Sequence, residues 1–388
     1  MNKRFLVISI SGLLVLFLSI GALLARNTPD DNAYGYLSIF SNVVHLINSN
    51  YVDEVDFSKV MDSDLNGMVE TLDSDSFFLK GKDLDVYKKE LEDDKGKAGV
   101  GITIAKRNGI VMVVSVDKGS SADENKIKPG DFVRTIDDQY VQSLPTYQIY
   151  HLLKGNPGTQ VQISLFKGAL EKPEQLTLVR RAVSRPYITS YVAQPKIGYI
   201  GLQHLLPGVD KEIETKLAAF KEQGVTSLIL DLRDCTEENQ DLAVKVASLF
   251  VGNSVVVQIS GREGPSKKIA GDSKAAFKGN LLVLTDFTTA GGAEIIAGAI
   301  QDSDSGKVFG TRTFGRGGIQ ELVPAGSNWL VLTTQKYLTP KGKMILTNGI
   351  DPTIPYKEEA KASEESGEQD LMLDKAIDYL RHPEQKAA

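Results

Sequence analysis

Covalent catalysis near neutral pH needs a nucleophile with a base beside it, and this chain offers few such pairs. Its four histidines, His45, His151, His204 and His382, are scattered with no partner motif around any of them. Each reads as a surface or packing residue. Cys235 is the one cysteine, so it forms no internal disulfide, and without a second thiol nearby it anchors no structural zinc. No base adjoins it in sequence, which makes it a poor nucleophile. Thr288 and Thr289 carry hydroxyls that an adjoining amine would activate, but no suitable base is apparent. Metal-ligand spacings and a phosphate-binding loop are absent from the sequence, so neither a metal nor a cofactor is expected.

The 388 residues are enough for two or three domains, each with its own core. With 41% hydrophobic and 24% charged residues, the composition excludes both bulk disorder and a polytopic membrane protein. A net charge of −6, with no stretch that interleaves Lys and Arg with aromatic residues, leaves nucleic-acid binding unsupported. One apolar run breaks the soluble pattern. Residues 5–25 carry no charge and follow Lys3 and Arg4, with Asp30 and Asp31 beyond Arg26. A bilayer span needs about 20 apolar residues, and basic flanks stay inside. The expectation is a signal anchor over residues 1–26, a single pass through the cytoplasmic membrane, and an extracytoplasmic bulk. A cleaved signal peptide is the alternative, because Ser19 and Gly21 could form a small-residue cleavage site.

Hydrophobic periodicity divides the remainder. Leu37, Phe40, Val44, Ile47 and Tyr51 recur at three and four residue intervals, predicting a helical domain over residues 27–97 that ends in the charged stretch 92–97. Residues 98–183 read as short strands at 100–105, 110–116, 132–136 and 160–166, with helical pieces at 121–125 and 146–154 and with Gly and Pro at the corners. Residues 184–357 alternate strand and helix: strands at 197–202, 227–232 and 280–285, helices striped by Ile213, Leu217 and Phe220, then at 242–250 and 293–301. The all-apolar strand at 227–232, flanked by helices, signals a buried parallel sheet in an α/β domain. Residues 358–388 read as an acidic linker, apolar-poor and disordered, before a last amphipathic helix at 371–380.

The middle module resembles a PDZ domain. Gly99, Val100, Gly101 and Ile102 look like its carboxylate-binding loop, Ile127-Lys128-Pro129-Gly130-Asp131 like its turn before the next strand, and the segment from Lys154-Gly155 to Gly158-Thr159 completes the combination. That resemblance implies capture of C-terminal tails: backbone N–H groups meet the tail carboxylate while a strand edge pairs with its backbone. A PDZ fold that only packs against or regulates its neighbours is the alternative.

From about residue 34 to 357 the layout resembles the carboxyl-terminal processing (tail-specific) serine proteases: a helical segment, an inserted PDZ domain and an α/β core of crotonase-like fold. The similar segments, in order, span 67–76, Gly198-Tyr199-Ile200, Leu230-Asp231-Leu232-Arg233, 294–302, Thr313-Phe314-Gly315 and 337–342. The family cuts with a serine nucleophile, a lysine base and a glutamine that orients the lysine, a variant of the triad. Counting back from Glu294, the resemblance puts the family serine at Gly291. Its lysine falls at Arg316, with the family's offset kept, and its glutamine at Gln320. Glycine has no attacking atom, and a guanidinium stays protonated at physiological pH. The family's glycine-rich oxyanion turn corresponds to Thr236, Glu237 and Glu238, whose Cβ atoms resist left-handed backbone and whose carboxylates oppose a developing negative charge.

The resemblance therefore implies a pseudoprotease that binds peptide or unfolded-protein C-termini as an adaptor or regulator. An active serine-type endopeptidase using unusual residues is the alternative. A third possibility is an inactive subunit paired with an active homologous protease.

Overall fold

The structure, a computed structural model, describes residues 31–73, 75–93, 98–107, 109–168, 172–181, 188–356 and 370–382. The chain divides into two compact units, Met1–Asp62 and Ser63–Ala388. Helix α1 (Asp31–Asn50) follows the predicted period, yet Leu37 and Tyr51 of the expected stripe are 67% and 62% exposed.

The expectation of a single-pass membrane protein is corrected: among the described residues no helix is long and apolar enough to cross a membrane. Helix α1 has the length, 20 residues, but Ser38, Ser41, Asn42, His45 and Asn48 interrupt its apolar positions. A hydrocarbon core demands a nearly unbroken apolar run. The 5–25 run behind that expectation lies outside the described residues, as does most of the 358–370 linker.

Helix α2 (Phe57–Glu70) ends in a polar turn, where the Asp73 carboxylate accepts the Asp75 and Ser76 N–H groups at 2.9 and 2.7 Å. Within the stretch read as helical, Phe77–Leu79 instead forms strand β1, because its three side chains are all buried; helix α3 (Leu84–Asp93) follows.

The PDZ region contributes β2 (Ile102–Arg107), β3 (Ile110–Val116), α4 (Ser121–Glu124), β4 (Phe132–Ile136), β5 (Gln139–Tyr140), α5 (Thr146–Leu153), β6 (Gln160–Phe166) and β7 (Glu174–Val179). The sheet runs β2-β3-β4-β6-β7, with β5 beside β4, so β2 lies at an edge. Ile104, Val113, Ile136, Ile149 and Leu165 fill its own core.

The α/β region begins with β8 (Ile188–Gln194), β9 (Ile197–Leu202), α6 (Val209–Glu222), β10 (Ser227–Asp231), α7 (Gln240–Val251), β11 (Val255–Gly261) and β12 (Lys267–Ala270). It continues with β13 (Asn280–Thr285), α8 (Gly292–Asp302), β14 (Lys307–Gly310), β15 (Gly318–Ala325), β16 (Asn328–Leu338), β17 (Ile354–Pro355) and α9 (Leu371–Arg381). One sheet runs β17-β14-β13-β10-β9-β8, parallel throughout except for β8. Alternation along β10 explains its unbroken apolar run: Leu228 and Leu230 join the core under α6, α7 and α8, while Ile229 joins the opposite cluster under α9. The second sheet runs β1-β16-β11-β12, with β15 beside β16.

Lys106 of β2 joins the PDZ region to the end of α2. Its ammonium, on a residue only 3% exposed, donates to Glu70 Oε1 at 2.5 Å and to the Leu144 carbonyl at 2.7 Å. Removing one partner of such a pair strands a buried charge. Glu70→Ala is expected to cost about 3 kcal/mol in urea unfolding. Lys106→Met combined with Glu70→Gln is expected to cost less, because no charge is left uncompensated.

Candidate functional site

Strand β13 ends at Thr285, and a loop of residues 286–290 leads to Gly291, the N-cap of α8, at φ 62° and ψ −122°. One turn into the helix stands Glu294, fully buried. Its Oε2 accepts the Gly291 N–H at 3.0 Å and the Arg316 N–H at 2.8 Å; its Oε1 accepts the Gly315 N–H at 2.7 Å and the Thr313 hydroxyl. Thr313 in turn accepts the Ile350 N–H at 2.7 Å. Four donors fill the carboxylate's acceptor sites, so Gly291 and Arg316 are held beside one another by a single side chain. Burial pushes the Glu294 carboxyl up to about 7, against the pull of those donors.

Arg316 is 8% exposed. Its Nε lies 3.3 Å from Glu238 Oε1, and its Nη2 donates to the Ile104 carbonyl of β2 at 3.0 Å. Burial opposes its charge, but Tyr150, Asp75 and Glu238 more than offset that, so its pKa lies above the ordinary guanidinium value. It cannot accept a proton.

The turn after β10 docks on the start of α8. The Ala290 N–H bonds the Cys235 carbonyl at 2.9 Å, and the Gly292 N–H bonds the Glu237 carbonyl at 2.8 Å. A Cβ added at Gly291 would stand 2.9 Å from that same Glu237 oxygen and 3.3 Å from Glu238 Cγ. Asp234 takes the left-handed turn at φ 62°, a position where Asp is tolerated better than most residues. The two turn carboxylates are both engaged: Glu238 faces Arg316, while Glu237 bonds the His204 Nδ1 and accepts the Leu205 N–H at 3.2 Å. Thr236 joins the PDZ region, its hydroxyl 3.1 Å from that of Thr103.

The other candidate nucleophiles are engaged elsewhere. Thr288 donates to Asp286 Oδ1 at 2.5 Å, and Thr289 donates to the Leu232 carbonyl at 3.1 Å. Burial, reinforced by Glu237, pushes the Cys235 thiol well above its usual range, so it stays protonated. Asp234 is also raised, to about 6, by burial and by the nearby Asp286 and Asp231. Gln320 on β15 donates to the Thr333 hydroxyl at 3.1 Å, and the Thr333 N–H bonds Ser76 Oγ at 3.0 Å. The structure thus gathers Gly291, Thr236, Glu237, Glu238 and Arg316 into one site and engages Gln320 in a separate chain of bonds.

Gly99, Val100, Gly101 and Ile102 lead into β2. The Val100 and Gly101 carbonyls accept the Ala122 and Asp117 N–H groups at 3.1 and 2.8 Å. Because C=O and N–H oppose each other across a planar peptide, the Gly101 and Ile102 N–H groups turn the other way. Gly101 sits at φ 83°, where a Cβ would come within 2.1 Å of Ser120. The bonds of Ile104, Tyr150 and His204 at the site, and the influence of the Asp75 charge on Arg316, escaped sequence reasoning, because each depends on chain segments far from its own.

Glu294 generates a signed pH dependence. Its carboxyl loses its proton near 4.5 in the unfolded chain and near 7 when folded, so its contribution to stability falls as pH rises across that window. Asp234 acts with the same sign up to about 6. Urea unfolding of Glu294→Gln across that range is expected to show a shallower fall with pH. Its amide NH₂ would confront the converging donors, costing about 2 kcal/mol near neutral pH.

A model of peptidase family S41 matches residues 196–356, and a PDZ domain model matches residues 98–177. A carboxy-terminal-processing protease of Bartonella bacilliformis is 28% identical over 337 residues, covering 84% of this chain and 76% of the relative. A "Probable CtpA-like serine protease" of Staphylococcus aureus is 27% identical over 323 residues, covering 82% of this chain and 64% of the relative, so the chain spans slightly under two thirds of that protein's length. Among solved structures, a photosystem II D1 C-terminal processing protease superposes with a TM-score of 0.68 at 25% identity, covering 79% of this chain and 84% of the other. With a PDZ region ahead of a peptidase family S41 region of this fold, the chain is a homologue of the carboxyl-terminal processing proteases.

Proposed function

We propose that this chain binds the C-terminal tails of peptides or unfolded proteins without cutting them, as an adaptor or regulator built on a peptidase frame. In this reading Gly291 occupies the family serine position, Arg316 the lysine position and Thr236, Glu237 and Glu238 the oxyanion turn. One observation carries it: the place where a nucleophile, a base and oxyanion donors would meet is filled by the chain's own groups. Gly291 keeps a backbone, φ 62° and ψ −122°, that would be strained in a residue with a side chain and is of the kind that presents a nucleophile on a strand-to-helix turn, but glycine has no side chain to present. The Gly292 N–H is given to the Glu237 carbonyl, and one lost oxyanion donor alone costs about 3 kcal/mol of transition-state stabilisation. Arg316 is held between Glu238 and Ile104. Tail capture falls to Gly99, Val100, Gly101 and Ile102, whose glycine turn suits a carboxylate nest.

The purified full chain, incubated with a fluorogenic tailed peptide, is expected to release no product, and a fluorophosphonate probe is expected to leave it unlabelled. Gly291→Ser with Arg316→Lys is expected to stay inactive, since the new Cβ meets the Glu237 carbonyl at 2.9 Å. Cleavage by the parent protein, or a covalent acyl adduct on any of its side chains, would refute the reading.

A further inference from the structure

Among the described residues strand β2 pairs only with β3 in its sheet, which leaves its far edge for an added strand. Edge pairing is how an extended peptide joins such a sheet, by exchanging main-chain hydrogen bonds with alternate residues. At Ile104 those bonds are already made. The Tyr150 hydroxyl, carried by α5, accepts the Ile104 N–H at 3.2 Å and donates to the Ile104 carbonyl at 2.9 Å. Burial raises the Tyr150 pKa, so the hydroxyl keeps the proton it donates. From the peptidase region Arg316 adds a second donor to the same carbonyl at 3.0 Å. The adjacent Thr103 hydroxyl lies 3.1 Å from that of Thr236.

Three facts make this more than an incidental contact. Both main-chain groups of one edge residue are satisfied by side chains. The two side chains come from different regions of the chain, 46 and 212 residues from Ile104. Arg316 also has a strong reason to remain, because a buried guanidinium without partners is costly, and the Ile104 carbonyl and Glu238 are partners it has.

We propose that Tyr150 and Arg316 form a latch that closes the β2 edge at Ile104, so that a C-terminal tail pairs with β2 only when the latch opens and the edge parts from the peptidase region. The latch rests on the tail-binding reading only for the identity of the displacing ligand. Opening and tail binding are then one linked equilibrium, and the apparent affinity is reduced by the fraction of molecules that are closed. The guanidinium that cannot serve as a base acts instead as a brake on the PDZ edge.

The test uses the full chain and two readouts. One is hydrogen exchange at the Ile104 amide; the other is binding of a short fluorescein-labelled peptide with a free C-terminal carboxylate, with its C-terminal amide as control. Tyr150→Phe removes both hydroxyl bonds, and is expected to speed Ile104 exchange and tighten carboxylate-peptide binding by about tenfold each. Arg316→Met, a second variant in case the first perturbs the fold, is expected to tighten binding by a few fold. Faster exchange with no peptide bound by any of the proteins would support the latch and remove the tail-binding reading. Unchanged Ile104 exchange in Tyr150→Phe, with peptide binding equal to that of the parent, would overturn the latch and leave that reading intact.

Discussion

A carboxylate with no access to water holds the candidate site together. Glu294 must find donors for both oxygens, because an ionised carboxyl in the interior is tolerated only when it is fully hydrogen-bonded. It finds them in the first residue before its own helix and in the segment that follows β14. Those bonds define where Gly291 and Arg316 can be. The elbow-like backbone at Gly291 and the approach of Arg316 to Glu238 both follow from a constraint set three residues into α8.

Arg316 carries that constraint outward. A protonated guanidinium in this position must be neutralised and bonded, and it reaches Glu238 on one side and the PDZ strand β2 on the other. The same turn that supplies Glu238 presents Glu237 to His204, whose Nε2 lies 3.7 Å from Asp117 of the PDZ region. Charged groups from the peptidase core, the turn after β10 and the PDZ region therefore meet along one seam. Under the proposed function, the part of the fold that would have performed acyl transfer serves to join two regions instead.

Legibility varied with the reach of the interaction concerned. Strands β9, β10 and β13 stood out because both of their faces are buried, which writes a continuous apolar run into the sequence. Four strands of the PDZ region, β2, β3, β4 and β6, were legible from glycine and proline punctuation, although β2 begins at Ile102 rather than at 100, because the loop before it bonds inward to Ala122 and Asp117. Strands β15 and β16 gave no such signal: they are mostly half-buried, mix polar with apolar residues, and owe their form to pairing with each other and with β1 and β11. The periodic stripe of α1 was real as a helix signal but did not predict burial at Leu37 or Tyr51.

By itself the sequence determined what chemistry the side chains can supply. A glycine offers no nucleophile, an arginine no base, and a lone cysteine no bridge, whatever fold surrounds them. Only the tertiary structure decided what those residues do. It placed the Glu237 carbonyl on the Gly292 N–H, buried Arg316 beside Glu238, and carried the guanidinium to the carbonyl of Ile104, 212 residues away. Composition and local pattern encode the capacity of each group, whereas pairing between distant segments arises only when burial forces every polar atom to find a partner.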